Sequence, residues 1–465
     1  MSTGLANRVK TFFASGYDAI KSNGKRGVAS AVLKQEDDQL KNRDRDKMSG
    51  AGRELHRNFS IVAWAIRKHL DYVTQFDFQM RTGNDDFDVL AETLMHEWSR
   101  PANCDVAGRH SLSKMIRMAE GRSLIDNDIG VMFRSQGRLQ AIESELIRTP
   151  STAEPSERWF NGVAVNQDGR AIGYGLHKRV RDSSGFEFVK RVKASNMVLH
   201  GCFERFDQVR GVSPLASAYN SFKDVYEGID YALAKMKVEQ LFALVIHSAN
   251  TSGHGDHTRQ GDGTYEVDMG KGPVKLEMDH DDDAKFLKTD NPGSNTREFL
   301  HVVLGMAIKA LDLPFNFYDE SHTNFFGSRA AWLLYDRSCH AKRANVLELL
   351  RRITVWRLRS WIIEGRLTLP GGMSLRQLPF EWVPRGMPWW DPAKEIKGDL
   401  LAISAGLDNP QRICKERGRG EFEDNIKQIA KAQAVAAEHG VEVSFAVNQI
   451  EGSNNDEGGG NNSDD

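Results

Sequence analysis

The residue types best suited to chemistry crowd one stretch in the middle of the chain. His254, Asp256 and His257 are followed by Asp279, His280, Asp281, Asp282 and Asp283. Aspartate and histidine are metal ligands, and carboxylates holding Mg²⁺ would suit phosphodiester hydrolysis, so a Mg²⁺-dependent DNA nuclease is one expectation. Yet no helical spacing aims these side chains at a common point, and runs of this kind more often stand as solvated loops. Cys104, Cys202, Cys339 and Cys414 are scattered without paired spacing, which predicts free thiols and no zinc site. P-loop, nucleophile-elbow, HExxH and CxxC patterns are all missing, and no cofactor is expected.

A second candidate is electrostatic. From Arg329 to Arg366 there are nine Lys or Arg and three acids, Asp336, Glu348 and Glu364. Arg351, Arg352, Arg357 and Arg359 would suit phosphate contact. An interfacial helix, with arginines paired to a neighbouring subunit's carboxylates, is at least as good a reading. The net charge is −2, with 27% charged residues, which argues against a simple DNA-coating protein. A protein that surrounds DNA without gripping it is compatible with that charge.

These residues must be positioned by the elements around them. At 465 residues the chain exceeds one hydrophobic core, and about two to four domains are expected. Residues 1–30 contain no apolar core of a signal peptide, and no apolar run reaches the roughly 18–20 residues of a membrane span. Residues 1–50 read as a flexible polar arm or a surface helix. A helix is predicted from Gly52, with Leu55, Phe59, Val62, Ile66 and Leu70 as its apolar stripe. Helices continue over 87–122, and Trp98 is expected in a core. Short strands follow: 129–133, 139–142, a hairpin turning at Asp168-Gly169, 173–177 and 197–200.

The chain is organised around the stretch from Arg205 to Ser248. Ser213-Pro214 is a good N-cap and first helical residue. Leu215, Ala218, Phe222, Val225, Ile229, Leu233 and Met236 then make one apolar face. If all of 214–248 is helical, it spans about 50 Å. Beyond the Asp/His loop, where Tyr265–Val267 and Val274–Leu276 are possible strands, Asn295 or Thr296 caps a second helix. Its apolar positions are Phe299, Val303, Met306, Ala307 and Leu311, and Pro314 follows its end. Ser328 opens a long basic helix through Glu364, stopped by Gly365. A strand at 380–384, a last helix at 421–439 and a disordered acidic tail at 451–465 complete the reading.

Three separated blocks carry a resemblance. His200, Arg205, Gln208, Arg210, Gly211 and Ser213 ahead of a long helix resemble the portal proteins of lambda-type tailed phages, as does the earlier Arg53-Glu54-Leu55…Arg57-Asn58 cluster. Asp319, Ser321, Asn324, Phe325, Ser328, Arg329 and Ala330 are similar to the family's second block. The run Gly386 to Glu395, with its Asp391-Pro392, is similar to the third, after which the resemblance implies a helix from Leu400 to Gly406 and a partner helix over 411–416. Two departures stand out: the Gly-rich strand end expected after the first helix is replaced by Tyr72–Phe76, and the family's E-x-G-x-D is partly lost at 416–420.

The resemblance implies an α+β, mainly α-helical portal fold: wing, two-helix stem, small clip and C-terminal crown. It maps as arm 1–50, wing 51–224, stem helix 225–249, clip 250–293, second stem helix 294–312, channel loop with basic helix and remaining wing 313–391, crown 392–450 and tail 451–465. It implies a homo-oligomeric ring, usually a dodecamer, at one capsid vertex of a virion built in the host bacterial cytoplasm. Double-stranded DNA would pass through it without sequence preference, during packaging and ejection. The implied partners are the terminase large subunit, which carries the ATPase, major capsid and scaffold proteins, and head-tail adaptor proteins; no membrane is involved. Channel residues would be Glu320, Ser321, His322, Thr323, Asn324, Arg329, Arg351 and Arg352. Docking residues would be His254, Asp256, His257, Asp279, Asp281 and Asp282. The rival readings are the nuclease and another shell component, a capsid or adaptor protein, which would lack a long helix pair flanking a small insert.

Overall fold

The computed structural model describes residues 34–154, 156–180, 185–241, 244–248, 282–286, 294–319, 324–385 and 392–441. After a one-turn helix (Glu36–Gln39), α1 (Asn42–Asn58) and α2 (Ser60–Val73) lead to β1 (Phe76–Met80) and α3 (Asp85–Trp98). Next come α4 (Leu112–Asp126), β2 (Asp128–Phe133) and β3 (Leu139–Glu143). β4 (Arg158–Phe160), β5 (Val163–Val165), β6 (Ala171–Arg179), β7 (Phe186–Lys193) and β8 (Met197–Gly201) follow. A 3₁₀ turn (Pro214–Ala218) runs into α5 (Tyr219–Leu241), then β9 (Leu244–Ser248), β10 (Asp282–Phe286), α6 (Ser294–Ile308) and α7 (Phe325–Ile363). The last elements are β11 (Phe380–Pro384), α8 (Pro392–Ser404), α9 (Pro410–Glu416) and α10 (Phe422–Glu438). The fold is α+β and mainly helical, as the resemblance implies, and none of its described helices is long and apolar enough to cross a membrane.

The chain divides into two compact units: residues 1–73 with 101–352, and residues 74–100 with 353–465. The expected wing, 51–224 with its remainder within 313–391, is thus divided between the two units. Residues 74–100 join the C-terminal unit because β1 pairs antiparallel with β11, Phe78 opposite Trp382. Neither β1 nor β7 is anticipated by the sequence reading.

In the first unit, β3-β2-β8 form one antiparallel sheet and β4-β5-β6-β7 another. Met132, Ile142, Val163, Tyr174, Leu176 and Met197 make a shared core cluster. The turn into β6 is at Asp168-Gly169, where Gly169 adopts φ +79°, as a tight hairpin requires. The single helix expected from Gly52 is two helices. Phe59 breaks it with extended backbone (φ −117°, ψ 104°), and its buried ring meets Phe222 and Tyr226 edge-on at 6.4 and 5.3 Å. The aromatic contacts reward a break that the apolar stripe conceals. Of the two readings of the N-terminal stretch, its described part takes the helical one: from Glu36 onward it is largely helical, with Asp37, Arg45 and Ser49 buried. The helix expected over 214–248 ends at Leu241, about 35 Å for its 23 residues, and the chain continues as strand.

In the second unit, Asn84 caps α3 by accepting from the Phe87 N–H at 3.0 Å, and three aspartates occupy its first turn. Trp98 is buried against Trp356 and Trp361. Among the described residues, α8, α9 and α10 bury no side chain, and α8 starts at Pro392 rather than Leu400.

Candidate functional site: a buried arginine knot at the root of a helix pair

The His200–Ser213 motif folds into the root of α5. His200 is the penultimate residue of β8, and its Nε2 lies 2.7 Å from Glu120 Oε2, while His69 Nε2 lies 2.8 Å from Oε1. Burial alone would raise the Glu120 pKa, but the hydrogen bonds with His200 and His69 win and hold it far below the carboxylate range. Gln208 ties the loop by donating to the carbonyls of Cys202 and Arg210 at 3.1 and 2.9 Å.

Arg210, 1% exposed, grips Asp128 with Nε and Nη2, both at 2.7 Å. Its remaining N–H groups reach the carbonyls of Ile147 at 3.0 Å and Ser144 at 3.2 Å, and that of Asn161. Asp128 also accepts from Arg45 at 2.8 Å, from the Gly211 N–H at 3.0 Å and from Ser144 Oγ at 2.6 Å. Burial raises the Asp128 pKa, and the two guanidiniums outweigh it to leave a net depression. Burial pushes Arg45 down to about 10 against the pull of Asp128. Gly211 is required by space: a Cβ there would lie 2.5 Å from the Asn127 carbonyl oxygen. Ser213 then accepts from the Leu215 N–H at 3.1 Å and donates to the Leu124 carbonyl. The motif thus locks helix α1, sheet β3-β2-β8 and the entry to α5 together; Arg205 alone stays half exposed, paired with Glu36 and Asp207.

From this root α5 packs against α6. β9 and β10, which connect the two helices to the intervening chain, pair antiparallel from Leu244↔Phe286 to Ser248↔Asp282. Of the docking residues expected, Asp282 begins β10; His254, Asp256, His257, Asp279 and Asp281 lie outside the described residues, as do the strands expected at 265–267 and 274–276. No group of three or more His, Cys, Asp or Glu able to hold a metal occurs among the described residues.

Glu320, Ser321, His322 and Thr323 also lie outside the described residues. Asn324 accepts from the Gly327 N–H at 2.7 Å and so caps α7, which starts three residues ahead of the expected Ser328. Arg329 is half-buried in the first turn. Arg351 is exposed and paired with Glu348 at 3.0 Å, which raises its pKa; Arg352 is half-buried and donates to the Ala194 carbonyl at 3.5 Å. Arg329 and Arg351 are about 33 Å apart along the helix, so these residues do not form one cluster. Arg357 is not available to nucleic acid: it is buried, stacked over Trp361 at 4.7 Å and Trp98 at 5.7 Å, and paired with Glu364 at 3.2 Å. Arg359 is exposed.

Sequence reasoning missed the exposed apolar surface of the helix pair. Phe299 and Met306, named among the helix's apolar positions, are 66% and 61% exposed, and Val302 is 60% exposed. The buried stripe is Leu304, Ala307, Ile308 and Leu311. The signal was present, since α6 is apolar on both sides.

The family model described as phage portal protein, lambda family, matches residues 25–343. A probable portal protein of Halomonas phage phiHAP-1 is 24% identical over 370 residues, covering 75% of this chain and 70% of that one. Among solved structures, a chain from the virion of the native gene transfer agent particle aligns with TM-score 0.45 and 14% identity, covering 82% of this chain and 94% of that one. A chain from the neck of the empty particle, computed with C6 symmetry, has TM-score 0.46 and 14% identity, with the same coverage. A chain from the neck of the native particle, computed with C12 symmetry, has TM-score 0.43 and 14% identity, covering 80% and 93%.

Proposed function

The chain belongs to the lambda family of phage portal proteins, and from that premise we propose that it forms a closed ring at one capsid vertex through which double-stranded DNA is packaged and later ejected. The observation that carries this reading is the helix pair α5–α6 flanking an insert whose two ends are held together by β9 and β10. A helical stem with a small clip at its tip calls for that arrangement; the rival shell component does not. The knot at Arg210 supports the same reading, because a helix that bears load along a channel needs a rigid root.

In this proposal α5 and α6 are the stem and residues 250–293 the clip. The clip, with His254, Asp256, His257, Asp279, Asp281 and Asp282, docks the terminase large subunit and afterwards head-tail adaptor proteins. Residues 320–324 face the channel ahead of α7, with Arg329, Arg351 and Arg352 as its basic contacts. Translocating DNA must not be held tightly, and a chain of net charge −2 suits passing contact better than a strongly basic one would. Synthesis takes place in the host bacterial cytoplasm, before incorporation at the vertex with capsid and scaffold proteins.

The test is packaging. Particles assembled in host cells without this chain should contain no DNA, and supplying the chain should restore filled heads. Filled heads without it would overturn the proposal. Cleavage of linear duplex DNA by the purified chain with Mg²⁺, abolished by Asp281→Asn and Asp282→Asn together, would favour the nuclease instead.

A further inference from the structure

The helix pair carries a groove and a ridge that suit each other but cannot meet within one chain. The groove, about 530 Å³, lies between α5 and α6 and is lined by Ile61, Val225, Ile229, Leu233, Met236 and Leu304. Arg297 and His301 stand at its polar edge. The ridge consists of Phe299, Val302 and Met306, each at least 60% exposed. At 100° per residue, the groove-lining positions of α6 (297, 300, 301 and 304) and the ridge positions (299, 302 and 306) point about half a turn apart. Leu233, on α5, is 48% exposed at the groove even though it continues the helix's apolar stripe.

We propose that the ridge of one copy seats in the α5–α6 groove of the next, so that this single contact joins neighbouring subunits of the ring. The inference rests on the portal reading and names the residues that build its lateral contact. Three observations select a second copy as the occupant. Three large apolar side chains side by side on one exposed helix face are an unusual cost for a chain that stays alone. The groove is apolar and of a size to take such side chains. Ridge and groove lie on opposite sides of one helix, so a two-fold dimer cannot satisfy both, whereas head-to-tail repetition, the kind of contact a ring is built from, satisfies each. Charge agrees: Glu298 flanks the ridge and Arg297 stands at the groove, so seating the ridge brings opposite charges to the rim.

The experiment uses the full chain. Val302→Lys puts an ammonium group on the ridge, while Val302→Leu keeps it apolar. Because Val302 is exposed in the single chain, both variants should keep the circular dichroism spectrum and melting profile of the unassembled protein. Mass photometry should show rings for the parent and Val302→Leu, and a loss of at least tenfold in the ring fraction for Val302→Lys. A Val302→Cys, Leu233→Cys pair should give, on oxidation, a ladder of covalent oligomers that neither single substitution gives. Parent rings accompanied by intact Val302→Lys rings and no ladder would overturn the ridge-and-groove contact while leaving the portal reading in place. A parent chain that never forms rings would overturn the portal reading itself, and the contact with it.

Discussion

Replacing Asp128 with asparagine removes the charge at the centre of the knot while nearly preserving its shape. Asp128 receives five donors: Arg210 Nε and Nη2, Arg45 Nη2, the Gly211 N–H and Ser144 Oγ. Asp128→Asn takes from two guanidiniums, 1% and 4% exposed, the carboxylate they are hydrogen-bonded to, and it turns one acceptor into an N–H₂ that faces donors. Breaking a buried pair in this way costs roughly 3–5 kcal/mol. For a unit of this size that lowers the melting transition by on the order of 5–10 °C. Scanning calorimetry of the full chain, at matched concentration because assembly itself stabilises the folded state, should show the transition of the first unit falling while that of the second stays. Arg205→Ala is the control: it breaks half-exposed pairs to Glu36 and Asp207 and should cost about 1 kcal/mol or less. If Asp128→Asn proves no more destabilising than Arg205→Ala, the knot is not what fixes the root of the helix pair.

Further outcomes follow from the same geometry. Gly211→Ala forces a Cβ to 2.5 Å from the Asn127 carbonyl oxygen and should destabilise the first unit by about 1–3 kcal/mol in urea melts, whereas Gly365→Ala meets open space and pays only for its positive φ. Arg357→Ala should lower the transition of the second unit by about 2–4 kcal/mol through lost packing on Trp98 and Trp361, and Arg351→Ala should change stability by less than about 0.5 kcal/mol. Glu120 and Asp128 both have depressed pKa values in the folded chain. Their contribution is therefore complete above the unfolded values of 4.5 and 3.8 and is lost as pH falls below them. Melting of the first unit should be insensitive to these two groups above about pH 5 and should fall steeply in acid, and Glu120→Gln should flatten that fall.

Local patterns were legible where one face of an element decides its fate. The hairpin at Asp168-Gly169, the strand at 380–384, the stop at Gly365 and the first half of the α5 stripe each follow from turn chemistry or period. What stayed hidden is non-local. β1 and β11 are separated by about 300 residues, and nothing near Phe76 announces its partner. β7 reads as a charged run, FEFVKRVK, because as an edge strand it keeps most of its side chains in solvent. Phe59 sits on the stripe of a continuous helix, yet its aromatic contacts break that helix. The motif around Arg210 was visible as a pattern, but only the structure shows that its arginine is spent on Asp128 and carbonyl groups. In α6, apolar residues on both faces left the buried side undecided: of the positions named, Ala307 and Leu311 are buried with Leu304 and Ile308, while Phe299 and Met306 are exposed.

The most direct test of the account is the assembly state of the purified chain, by electron-microscopic class averages with mass photometry beside them. The account predicts rings with a central hole, at about a dozen subunit masses. Monomers or dimers at every concentration would contradict it.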